Sequence, residues 1–190
     1  MKTLYMKLKR SGILVNGVNG EIDWNYIKAN IEMIYTIWPT VVADLNALDV
    51  NSEDILNFSN VLDKVTLSVK AEDKVATLNN LVGLYTFLPK YREQFSDDSQ
   101  AINLDYCKNS IINSYALVEQ NNWQEVKKQI ENAINYYINI MDGVSTNIQN
   151  QNRVSKAYIL LNELNGCINM QDKELYYIKY RNVMEELMNL

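Results

Sequence analysis

The residues of this chain that could do chemistry are carboxylates, tyrosines and two cysteines, because it contains no histidine. Without an imidazole it cannot assemble a Ser-His-Asp or Cys-His nucleophile, a Glu-x-x-His di-iron site, a His-ligated haem or a zinc protease centre. Paired acids stand at Asp97-Asp98 and Glu185-Glu186. Adjacent helical residues point to different faces and adjacent loop acids stay in water, so both pairs read as solvated surface rather than as general acid and base. The stretch Asp49-Val-Asn-Ser-Glu-Asp54 opens like a calcium loop, but Asp54 stands where that loop needs Gly and Asn60 where it needs a bidentate Glu. It reads as a helix cap. Gly12, Gly17 and Gly20 are spaced for turns, not for cradling a phosphate. Cys107 and Cys167 are too few for a zinc site, and both lie in apolar helical runs, the setting of buried free thiols more than of a bridge. Neither catalysis, nor a cofactor, nor a metal is expected.

Tyrosine is the residue type in excess, with 13 in the chain. Tyr136-Tyr137, and Tyr176-Tyr177 with Tyr180, put phenols on successive faces of their helices, so some hydroxyls must reach water or a partner. Tyrosine suits recognition because it offers a large contact area with few rotors. Tyr136, Tyr176, Tyr177 and Tyr180 are therefore the expected contacts for a ligand or partner.

The elements that must carry these residues are helical. Hydrophobic content is 47% with only 6 Gly and 2 Pro, the profile of a compact helical protein and not of a disordered one. After an Asp23 cap, Trp24, Ile27, Ile31, Ile34, Trp38, Val41, Leu45 and Leu48 alternate by three and four, a seam that predicts a long bundle-type helix kinked near residues 35–38 by Pro39. A second helix follows the caps of residues 51–54, with Ile55, Phe58, Leu62, Val65 and Val69 inward. A third carries Val75, Leu78, Val82 and Tyr85 to about Phe95, and Pro89 bends or ends it. Between these two the step from Val69 to Val75 breaks the phase, so either a tight turn falls at residues 70–73 or one helix is overwound, with the turn preferred. Residues 96–99 cap a fourth helix with Leu104, Cys107, Ile111, Tyr115 and Val118 inward. Asn121-Asn122 interrupts the pattern, Asn being at ease in the left-handed conformation that ends helices, and Asn122 with Glu125 has capping-box spacing. The fifth helix holds Trp123, Val126, Ile130, Ala133, Tyr137 and Ile140, and residues 143–152 form a Gln/Asn-rich loop. Val154, Ala157, Leu161, Leu164 and Ile168 mark a sixth helix, and Tyr176, Tyr180, Val183 and Leu187 a seventh. The expected fold is all-α: about seven helices as antiparallel hairpins, in a bundle or short stack, forming one domain over residues 23–190. Ahead of it, residues 1–22 alternate apolar and basic side chains around Ser11-Gly12 and Asn16-Gly17, which suggests a small strand hairpin or arm.

The net charge of −5 hides an asymmetry: Lys2, Lys7, Lys9 and Arg10 give residues 1–20 a charge of +4, leaving 14 basic against 23 acidic residues elsewhere. An acidic body without a clustered basic face repels phosphate backbones, so nucleic acid is not an expected partner. No uncharged stretch approaches the roughly 20 residues that span a bilayer, and the first 20 residues lack the apolar run and cleavage site of a signal peptide.

Tyr115-Ala-Leu-Val-Glu-Gln-Asn-Asn-Trp-Gln-Glu-Val126, continuing to Ala133-Ile134, resembles one tetratricopeptide hairpin, which implies that Trp123 wedges between two helices while Ala133 lets a neighbour come close. Over residues 23–190 the chain also looks like a group of uncharacterised helical lipoproteins of clostridia and related bacteria, on the stretches Ile55-Leu-Asn-Phe-Ser-Asn-Val-Leu-Asp63, Ala116-Leu-Val-Glu-Gln-Asn-Asn-Trp123 and Tyr176-Tyr-Ile-Lys-Tyr-Arg-Asn-Val-Met-Glu-Glu-Leu187. That resemblance implies an extracytoplasmic, lipid-tethered protein at the cell envelope. The chain has no lipobox cysteine, so the expectation is a form without its membrane tether or a soluble relative, for which the cytoplasm also stays open. The functional expectation is a non-enzymatic interaction module whose last two hairpins offer an aromatic groove to a peptide or protein. The alternative is a bundle that binds or senses a small molecule in its interior.

Overall fold

The computed structural model describes residues 23–143 and 148–190. The expected N-terminal strand hairpin, residues 1–22, lies outside them. Every described element is helical: α1 (Trp24–Ala47), α2 (Ser52–Lys70), α3 (Lys74–Phe95), α4 (Ser99–Glu119), α5 (Trp123–Asp142), α6 (Ile148–Cys167), a 3₁₀ turn (Ile168–Met170) and α7 (Lys173–Met188). They form two compact units, one comprising α1–α3 and ending at Asp97, the other running over Asp98–Leu190.

Four helical segments end at a left-handed residue that is not glycine. Asp49, Glu72, Asn121 and Gln171 take φ of 54°, 53°, 57° and 51°, the left-handed conformation that turns a chain out of a helix. At three of these ends the freed carbonyls are recaptured in the same way. The Val50 amide donates to the Leu45 carbonyl, Asp73 to Ser68 and Asn122 to Leu117, while the left-handed residue donates three positions back. An Asp or Asn then starts the next helix: Asp73 accepts from the Ala76 amide, Asn122 from Glu125, Asp172 from Leu175 and Asn51 from Glu53. The break at residues 70–73 is thus a tight turn, as preferred from the phase of the stripe. The Glu125 carboxylate pairs with Lys128 at 2.9 Å.

In the first unit α2 packs on both α1 and α3. Phe58 of α2 is fully buried and stacks on Trp38 of α1 at 4.2 Å, and its edge meets Phe87 of α3 at 5.6 Å. The Trp38 indole N–H donates to Ser59 Oγ at 2.9 Å. Gly83 lets α3 come close, since a Cβ there would stand 3.2 Å from Val61 Cγ1. Neither proline ends its helix: α1 continues past Pro39 and α3 past Pro89 to Phe95, each proline removing one backbone bond. The inward stripe of α3 differs from the expected one. Val75 is exposed and Val82 only partly buried, and Leu78, Leu81, Leu84, Tyr85, Leu88 and Tyr91 form the core face. The turn at Glu72 resets the helical phase, so extending the α2 stripe across it points the wrong residues inward. Leu48 is likewise exposed, because it follows the last turn of α1.

In the second unit α4 packs on α5, α5 on α6, α6 on α7 and α7 back on α4, a closed four-helix ring. The α4–α5 approach is the tightest, and small buried side chains line both helices: Cys107, Ser110, Ser114 and Ala116 on α4, Ala133 on α5. The loop expected over residues 143–152 is shorter at its far end, because α6 is already helical at Ile148. Gln and Asn tolerate a helix start when no Gly or Pro intervenes.

Candidate functional site

The four tyrosines marked by the sequence sit in the second unit, and the structure divides them. Tyr176 and Tyr180 of α7 are buried, so they belong to the core of the ring and present no face to a partner. Tyr176 shares a short hydrogen bond with Ser114 Oγ, whose hydroxyl lies 2.6 Å from the Ile111 carbonyl, and it meets the half-buried Trp123 ring edge-on at 6.1 Å. Trp123 therefore packs against α7. Tyr177 is half-buried, lies 4.9 Å from Tyr115, and donates to Glu119 Oε1 at 2.6 Å. Tyr136 is half-buried and stacks on Tyr106 at 5.1 Å. The three α7 tyrosines are brought together around Tyr115, with Tyr180 also 4.9 Å from that ring. Burial pushes the Tyr176 hydroxyl well up, and burial followed by the Glu119 carboxylate does the same for Tyr177. These phenols stay protonated as hydrogen-bond donors.

A concave site that the sequence did not mark lies in the first unit. Antiparallel α1 and α2 leave a cleft of about 610 Å³ along their seam, within the size range of ligand sites. Buried Ile31 and Val69 form its floor. Leu67, 66% exposed, and Tyr35, 38% exposed, stand along its walls. Charged side chains occupy its rims: Lys28 and Glu32 on α1, Asp63 and Lys70 on α2.

Hydrogen bonds fix the register of the two walls. Lys28 Nζ pairs with Glu72 Oε1 at 2.9 Å at one end, and the Tyr35 hydroxyl donates to Asp63 Oδ1 at 2.5 Å at the other. Thr66 Oγ1 lies 3.1 Å from the Tyr35 hydroxyl and 2.9 Å from the Leu62 carbonyl. Partial burial, then the hydrogen bond to Asp63, raises the Tyr35 pKa, so Tyr35 acts here as a donor and not as a base. The cleft can bind through apolar area, one phenol and charges of both signs. Leu67 carried a signal in the sequence, being an apolar residue of α2 that falls off the stripe of Ile55, Phe58, Leu62, Val65 and Val69. Tyr35, next to Ile34, is its counterpart on α1.

Among the described residues no group of three or more acids and cysteines is placed to hold a metal, and no helix is long and apolar enough to cross a membrane. No protein-family model, no curated protein and no solved structure matches this chain.

Proposed function

We propose that this protein is a non-enzymatic binding module and that the α1/α2 cleft receives a peptide segment of another protein. The observation that carries this reading is the exposed Leu67 and Tyr35 over a buried Ile31/Val69 floor, an apolar trough with charged rims of both signs. The cleft is open along one side. A small molecule in it would keep a face in water, whereas ligand sites bury most of what they hold. A peptide segment can belong to a larger partner that covers the open side. The resemblance to helical lipoproteins favours the cell envelope as the place where such a partner is met.

The test compares the proteins retained from an envelope extract of the native host by the wild type, by Leu67→Glu, by Tyr35→Ala and by the control Ile159→Glu. Leu67 and Ile159 are both more than half exposed, so a carboxylate is tolerated at either. A partner kept by the wild type and the control but lost with both cleft variants is the expected result. An identical set with all four proteins refutes the reading.

A further inference from the structure

Resting on that reading, we infer that the occupant of the cleft is an amphipathic helix carrying one acidic and one basic side chain about two turns apart. The two helix walls and open top favour a third helix, because a helix laid along the seam of two others sets its apolar stripe onto their ridges while its own backbone stays satisfied. An extended strand would find no edge to pair with, since both walls are helices whose backbone bonds are internal.

The charges define the rest. The walls run antiparallel, with Lys28 at the level of Glu72 and Tyr35 at the level of Asp63. Lys28 and Lys70 therefore mark one end of the cleft. Asp63 marks the other, with Glu32 between the two levels and one turn short of Tyr35. Asp63 and Lys70 are seven residues apart on α2, a rise of about 10 Å. Neither Lys70 nor Glu32 has an ion-pair partner among the described residues. The cleft is thus a dipole: it rewards an acid facing Lys70 and a base facing Asp63 and Glu32, and it penalises an occupant whose charges are all of one sign. Two side chains seven positions apart on the incoming helix match the spacing of the poles, and Leu residues between them meet Leu67 and Ile31.

The test uses the full chain and three labelled peptides of about 18 residues, equal in their Leu stripe and helix content. The first carries Glu and Lys seven positions apart, the second Glu at both places and the third Lys at both. Binding is read by fluorescence anisotropy, with Leu67→Glu as the control for location. The expected result is that the mixed peptide binds about tenfold or more tighter than either like-charged peptide. Leu67→Glu should weaken it, and in Lys70→Glu the double-Lys peptide should overtake it. Equal affinity for all three peptides, unchanged by Lys70→Glu, overturns the charge assignment and leaves the binding reading standing. Mixed-peptide binding indifferent to Leu67→Glu overturns the assignment to this cleft. No binding by any peptide overturns both.

Discussion

Alkali should unfold the Asp98–Leu190 unit through its buried thiols and phenols. Burial raises the Cys107 pKa from 9.0 to about 12, and burial with the nearby Glu119 carboxylate raises Tyr115 from 10.0 to about 12. Burial also pushes Cys167, Tyr137, Tyr176 and Tyr177 upward. In the unfolded chain these groups lose their protons near their ordinary values, whereas the folded ring keeps them. The unfolded state then binds fewer protons, so stability is intact below about pH 9 and falls as the pH rises through the window up to the folded values. At about pH 11 the unfolded thiol is two units past its midpoint and the unfolded Tyr115 one, worth about 3 and about 1 kcal/mol. A unit of this size is stable by roughly 5–10 kcal/mol, so these two groups alone remove a large part of it, and the other three phenols add in the same direction. The assay is urea unfolding followed by helical circular dichroism at a series of pH values, with tyrosinate absorbance recorded alongside. Absorbance from the buried rings should appear together with loss of helix. Cys107→Ala should show a shallower decline from about pH 9 upward, because it removes one of the two buried thiols, Cys107 and Cys167, that lose their protons first in the unfolded chain. Stability that stays constant to about pH 11, or tyrosinate that forms fully while the helices persist, would refute the reasoning.

Three further perturbations follow from the packing. Ser114→Ala leaves the buried Tyr176 hydroxyl without its partner and should cost about 1–3 kcal/mol, whereas Ser114→Ala with Tyr176→Phe should recover most of that loss, as read by a double-mutant cycle in urea. Gln171→Gly removes a Cβ from a left-handed position and should stabilise the chain by about 0.5–1 kcal/mol, with a smaller gain for Asn121→Gly because Asn tolerates that conformation. Phe58→Ala empties the centre of the first unit, between Trp38 and Phe87, and should cost about 3–5 kcal/mol in thermal or urea unfolding.

The helices were legible because apolar side chains recur at three and four positions, and burial enforces that period wherever a helix has one packed face. Ile27 through Leu45 on α1, and Val126 through Ile140 on α5, are buried as the period requires. The turn at Asn121-Asn122 was legible for a local reason, since Asn suits both a left-handed residue and a cap. Glu72 and Gln171 occupy the same left-handed position with no such preference. There the chain bends because the stripes on either side cannot both be buried on one straight helix, a tertiary demand that overrides local propensity. The tyrosines misled for a related reason. The stripe of Tyr176, Tyr180, Val183 and Leu187 points these rings inward while their hydroxyls ask for a polar partner, and Ser114, 62 residues away in the chain, takes up the Tyr176 hydroxyl and lets that ring sink into the core. No pattern local to α7 contains that partner.

The cleft lies where the described helices of the first unit do not close on themselves as those of the second do. In the second unit each helix has two neighbours, because α7 returns to α4, and the ring leaves its apolar stripes facing one another. In the first unit, among the described residues, α2 contacts both α1 and α3, and no described helix lies over the outer part of the α1/α2 seam. Leu67 and Tyr35 stand at that position with their charges arranged around them. A sequence that needed only to keep this seam soluble would place polar residues all along it, as it does at Asp63 and Thr66. Keeping a leucine there, 66% exposed, costs solubility and does nothing for the core it does not reach. That combination makes physical sense when a partner helix covers the seam, and Lys70 at one end against Asp63 and Glu32 toward the other sets the charge such a helix must carry, the Lys28 charge being met by Glu72.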